Sequence, residues 1–268
     1  MERTSFADIE EVPTSDWLLH PPQSENRTQF FMFPYAGSGA SLYRAWPTAI
    51  NEICLNPVQP PGRENRLREC ESSSFRKWAV DFTDVVQANP DLYHGVLFGH
   101  CMGAVTAAAV AAEMNSRGLA PKALVVSSSR PPDLPPEKRY LPPPKGAVGV
   151  YHMSMTEEEL GEELQKVMQR RGTEIPPELL PISLGVLLRD LNMCFNYRPN
   201  AVASVGCPVH AVAWEDDLDV AHEEMDAWEN YGTSFKKHVL PGDKMSFADR
   251  RDDLFDLFEE IATGEYRK

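Results

Sequence analysis

Val96-Leu97-Phe98-Gly99-His100-Cys101-Met102-Gly103 decides how the rest of the chain is read. Three apolar residues lead straight into Gly-x-Cys-x-Gly, and a small-residue stretch, residues 104–114, follows. That is the strand, sharp turn and helix of a nucleophile elbow, with sulfur where a serine hydroxyl is usual. The glycines suit a turn whose flanking backbones pack tightly. The turn holds residue 101 at a helix N-terminus, where free N–H groups and the positive end of the dipole favour an anion. For cysteine this predicts a lowered pKa and more thiolate. The plainer reading, a cysteine that merely fills a tight turn, leaves the matching context on both sides unexplained.

Outward from the elbow, strand and helix alternate. Residues 30–33, 55–59, 123–126, 209–214 and 235–240 read as short apolar strands, the first two stopped by prolines. Residues 42–53, 75–88, 222–231 and 252–261 have helical spacing. The fold class is therefore α/β, with a mostly parallel central sheet and helices on both faces. Seven prolines in 131–146 read as an extended linker. Residues 157–171 and 179–195 are helical without strands, so a helical lid is expected at about 147–198. Residues 1–26 are polar and acidic and read as a flexible leader to a domain spanning 27–268.

At 268 residues with 42% hydrophobic residues, the chain suits one sizeable core. The net charge of −14 argues against nucleic acid or an anionic membrane as partner. The start lacks the basic and apolar runs of a signal peptide, so a cytoplasmic location is expected. Five scattered cysteines, Cys54, Cys70, Cys101, Cys194 and Cys207, suggest neither a disulfide framework nor a metal site. A monomer is the default.

Four further stretches carry a family resemblance. Phe33-Pro34-Tyr35-Ala36-Gly37-Ser38-Gly39-Ala40-Ser41, running on to Tyr43-Arg44 and Trp46, resembles the FPYAGGGAS…YR…W signature of type II thioesterases of polyketide and nonribosomal peptide assembly. Pro61-Gly62-Arg63 with Arg66-Leu67 resembles their PGR…RL stretch, and Phe98 to Gly103 their FGHSMG. Asp190 and Tyr197 fit their last lid helix, and Pro241-Gly242 the start of their final PGGHFF. The resemblance covers roughly residues 28–262. It implies an α/β-hydrolase fold acting on acyl or aminoacyl thioesters that carrier proteins hold on phosphopantetheine. No separate cofactor is implied, because the pantetheine arm arrives with the substrate. Backbone N–H groups of Ala36 and Met102 would form the oxyanion hole, with Tyr35 and Gly37 beside the substrate. Asp217 matches the family's triad acid, with Asp216 and Asp219 as close alternatives in an acidic run that otherwise reads as a solvated loop.

The chain departs from the family twice. Cysteine replaces serine at 101, and Lys244 stands at the position of the catalytic histidine. His100 reads as structural, while His238, His222 and His152 are weak substitutes for a base. The departures compensate chemically. A serine hydroxyl needs a base to attack, whereas a thiol with a pKa near ~8.5 ionises partly by itself. Water attack, however, normally relies on the histidine. A Cys101 acyl-enzyme that passes its cargo to a second pantetheine thiol is therefore favoured. Hydrolysis, offloading with cyclisation, and carrier binding without turnover stay open.

Overall fold

A computed structural model of the chain describes residues 14–18, 27–69, 74–199, 202–248 and 252–264. Strands β1 (Thr28–Phe33), β2 (Ala49–Ile50), β3 (Ile53–Pro57), β4 (Val96–His100), β5 (Ala123–Ser127), β6 (Val209–Trp214) and β7 (Phe235–Leu240) form one sheet. Its order is β2-β3-β1-β4-β5-β6-β7, antiparallel only between β2 and β3. The inner strands are buried and mostly apolar because both faces are covered. In β1, Phe31 and Phe33 join a core with Phe82 and Val85, while Phe30 and Met32 join a second core with Trp46 and Phe258 on the opposite face. Helices α1 (Phe75–Ala88) and α2 (Met102–Ser116) cover the first face, and the helix Asp252–Thr263 covers the second. Ala104, Ala107, Ala108 and Ala111 let α2 lie close to the sheet.

Two helices, α3 (Glu157–Arg170) and α4 (Leu180–Asn196), come between β5 and β6 as the sequence suggests. Thr156 and Glu159 start α3 with a reciprocal capping box. Leu160, Leu164, Leu187 and Leu191 from this pair pack with Ala36, Met102 and Val105, so both helices sit directly over the elbow.

Three expectations change. Residues 42–53 do not make a helix: a short 3-10 turn, Ala40–Tyr43, leads into the β2–β3 hairpin, with Asn51 at φ 45° in its turn. Pro47 removes a helical donor and biases Trp46 away from the helical region. The stretch 222–231 is a 3-10 helix, His222–Asn230, with Met225 and Trp228 buried three residues apart as that geometry requires. Within the expected leader, residues 14–18 are docked on the domain; its remainder, like Cys70, lies outside the described residues. Trp17 is buried against Phe82 and under the Arg66 guanidinium, and Leu18 bridges to Val58. No helix among the described residues is long and apolar enough to cross a membrane.

Candidate active site

Cys101 sits between β4 and α2 at φ 53°, ψ −118°, a strained backbone for a residue with a side chain. The glycines explain how the turn closes. A Cβ on Gly99 would lie 2.0 Å from the Gly103 carbonyl oxygen, and one on Gly103 would lie 2.3 Å from that of Phe33. The turn thus presses α2 against β1 and β4 and leaves the sulfur facing a cavity that Ala36, Met102, Asp219 and Lys244 also line. Ala36 and Met102 both line this cavity beside Cys101.

The loop bearing Ala36 is held from behind. Arg63 Nη1 and Nη2 each donate 2.8 Å to one oxygen of Asp190, and both side chains are buried. Asp190 also accepts from the Gly37 N–H at 2.8 Å, and Arg63 donates to the Ser38 carbonyl at 2.9 Å. The guanidinium lies 4.9 Å from the Trp78 ring centre. A lid helix, the loop after β1 and the loop after β3 are thereby joined through one bidentate pair. Gly37 spends its N–H on Asp190 and, with Tyr35, faces a different groove of about 380 Å³ beside the lid. Neither residue lines the Cys101 cavity itself.

Lys244 is buried, and its ammonium donates to Asp219 Oδ2. Asp219 also accepts from Arg130 Nη1 at 3.2 Å, and Arg130 grips Glu224 with two bonds of 2.8 Å. The acid on Lys244 is thus Asp219, the close alternative to Asp217 in the sequence. Asp217, taken there as the triad acid, bonds Ser128 Oγ and accepts the backbone N–H groups of Asp219 (2.8 Å) and Val220 (3.1 Å). It shapes the loop that turns Asp219 inward, and its charge still reaches Lys244 and Cys101 through space. Burial works against the Lys244 ammonium, but Asp219 above all, then Cys101 and Asp217, hold its pKa well above the usual lysine value. Burial also opposes the Asp219 carboxylate, yet Lys244 and Arg130 keep its carboxyl below the usual range.

The thiol departs from expectation. Burial pushes the Cys101 pKa up; Lys244 opposes this, while Asp219 and Asp217 add to it. The helix N-terminus does act, through the Met102 N–H, but it does not outweigh desolvation. Lys244 cannot reverse the sign because Asp219 already balances its charge. Below a raised pKa the thiolate fraction grows tenfold per pH unit. Alkylation of Cys101 by iodoacetamide is therefore expected to climb steadily from pH 7 to 9. Lys244→Met should slow it at pH 8 by about tenfold or more, since one full charge is lost at short range. Labelling read by peptide mass separates Cys101 from buried Cys54, Cys194 and Cys207. A plateau below pH 8 would mean a standing thiolate and overturn this account.

His100 is structural. Its ring stacks on Phe247 with centres 3.7 Å apart, Nδ1 meets Ser127 Oγ at 3.1 Å, and burial, then Lys244, drives its pKa well below the ordinary value. His238 pairs with His210 at 3.0 Å on β6 and β7, His222 pairs with Glu223, and His152 bonds Ser154. None of them lines the Cys101 cavity. The cavity therefore brings together the Cys101 thiol, Ala36 and Met102, and a lysine ammonium balanced by Asp219.

Known proteins share this fold. The thioesterase-domain family model matches residues 28–262. Linear gramicidin dehydrogenase LgrE of Brevibacillus parabrevis is 30% identical, over 92% of this chain and 93% of its own. RedJ, a thioesterase from the prodiginine biosynthetic pathway in Streptomyces coelicolor, superimposes with a TM-score of 0.72 at 27% identity, covering 94% of this chain and 99% of its own. BorB, the type II thioesterase from the borrelidin biosynthetic cluster, gives 0.72 at 25% identity, covering 92% and 96%. With the elbow, the loop after β1 and the sheet order all in register with that match, the chain belongs to the thioesterase-domain family, on the α/β-hydrolase fold.

Proposed function

We propose that the protein moves acyl groups between carrier-protein thiols through a thioester on Cys101. One observation carries this reading: the position facing the nucleophile holds a buried ammonium paired with Asp219, not a base. The family and the biosynthetic settings named for RedJ and BorB support a pantetheine thioester as substrate.

The Cys101 thiolate attacks the thioester carbonyl, and the oxyanion lies against the N–H groups of Ala36 and Met102. The carbon–sulfur bond to pantetheine then breaks. The leaving thiolate takes up the proton that Cys101 had released, and the acyl group rests on Cys101. A second pantetheine thiol, attacking as its thiolate, reverses these steps and returns the proton to Cys101. One thioester replaces another, so each direction runs with little change in free energy. Water needs a base to attack at neutral pH, and Lys244, held as an ammonium, does not supply one. Asp217 and Asp219 act by positioning and balancing that charge.

Hydrolysis is the second reading, favoured by family membership and by the names of RedJ and BorB. Incubating the protein with acyl-loaded carrier protein and recording intact masses distinguishes them, with Cys101→Ala as control. A Cys101-dependent mass gain that moves to a second holo carrier protein is expected. Prompt free acid would sink transfer in favour of hydrolysis. A product lighter than the acid by one water would indicate cyclisation, and carrier binding without an adduct would mean a module without turnover.

A further inference from the structure

The cavity at Cys101 has an unusual charge for so acidic a chain. Arg130, Arg139 and Lys244 line it against one carboxylate, Asp219. Arg130 is satisfied by Glu224 and Asp219, and Lys244 by Asp219. Arg139 is not. It is buried, and Nη2 donates to the carbonyls of Tyr197 at 2.6 Å and Cys194 at 3.4 Å. Its guanidinium rests 5.2 Å from the Tyr140 ring centre. It makes no ion pair among the described residues, and Nε and Nη1 have no hydrogen-bond partner there. The Tyr151 hydroxyl, on the same cavity wall, is likewise buried without a partner. Two residues of this cavity wall thus carry three unsatisfied donor atoms, and one of the residues is cationic. Burying such a charge unpaired is costly unless something anionic completes it. The enclosed space is about 30 Å³, room for about two waters or one small polar group.

We propose that the acyl group this site accepts is short and carries its own carboxylate, which the Arg139 guanidinium and the Tyr151 hydroxyl receive. The proposal rests on the reading that Cys101 takes acyl groups from carrier thioesters. A guanidinium N–H donates a charge-assisted hydrogen bond to a carboxylate, which no aliphatic acyl chain can accept. A free aminoacyl ammonium would bring a fourth cation to the same wall. The site therefore selects short dicarboxylic monothioesters over alkyl and aminoacyl cargo.

The test loads one carrier protein with malonyl, succinyl, propionyl, butyryl or alanyl groups and follows the Cys101 adduct by intact mass. Malonyl or succinyl is expected to load about 10- to 100-fold faster than propionyl, butyryl or alanyl, the range for hydrogen bonds to a charged group. Arg139→Met should erase that ratio, and Arg139→Lys should keep part of it. Equal rates, or preference for butyryl or alanyl, would overturn the proposal. Binding of malonyl and propionyl pantetheine amides to Cys101→Ala reads selectivity without turnover. Tenfold tighter malonyl binding supports the proposal even where acylation or transfer fails, and equal binding ends it.

Discussion

Cys101→Ser is expected to lower acyl loading by at least 10³-fold, although it changes one atom. A serine hydroxyl stays protonated at neutral pH unless a neighbour removes its proton, and a positioned base contributes roughly 10²–10⁴-fold. Lys244 cannot act as that neighbour, because Asp219 holds it as an ammonium. The companion change makes the argument sharper. In Cys101→Ser/Lys244→His an imidazole replaces the ammonium beside Asp219, which would orient and charge-balance it as a triad acid does. Hydrolysis of acyl carrier protein should reappear, at least 10-fold above Cys101→Ser. Lys244→His alone should divert acyl groups from thiol to water. Free acid and acyl-carrier masses, followed together, give both numbers. If Cys101→Ser hydrolyses as fast as the parent loads, Lys244 is not the passive cation described here.

The second large effect lies away from the sulfur. Removing one member of the Arg63–Asp190 pair leaves an uncompensated charge in the protein interior, and such losses typically cost about 3–5 kcal/mol. Arg63→Met or Asp190→Leu should therefore lower the urea stability by that amount. Each also frees the Gly37 N–H or the Ser38 carbonyl from its anchor, so Ala36 loses its fixed position. Loading should fall by about 10²–10³-fold, the usual consequence of losing one oxyanion donor. The double variant separates the two roles. With no charge left buried, stability should recover much of the loss. Loading should not recover, because nothing then tethers the loop. A single variant within about 1 kcal/mol of the parent, the scale of an exposed ion pair, would remove the pair from this role.

What could be read from the chain was local. The elbow at Gly99–Gly103, the inner strands and the paired lid helices all show in spacing and in glycine and proline punctuation. Which acid meets Lys244 did not show. Asp216, Asp217 and Asp219 lie within four positions of an irregular loop, and only the backbone path assigns them. Asp217 spends an oxygen on the N–H groups of Asp219 and Val220, and that turn sends Asp219 inward. The direction of the Cys101 shift was hidden for a different reason. Helix end and lysine are visible in sequence, but desolvation and the neutralisation of Lys244 belong to the packed structure. The Arg63–Asp190 pair spans 127 positions, beyond any motif. Arg139 stood in a proline-rich stretch read as a passive linker, yet the chain folds that stretch back as cavity wall.

The half-buried, protonated state of Cys101 has a consequence outside catalysis. Peroxide oxidises thiolates, and cysteines kept ionised at rest are the ones most readily lost as sulfenic and sulfinic acids. Here the sulfur becomes nucleophilic only to the extent that a proton leaves it, so between turnovers it should survive oxidant that would inactivate a low-pKa cysteine enzyme. The same desolvation that slows the first attack thus preserves the enzyme for the next, and an oxidising cell would silence this protein late rather than early.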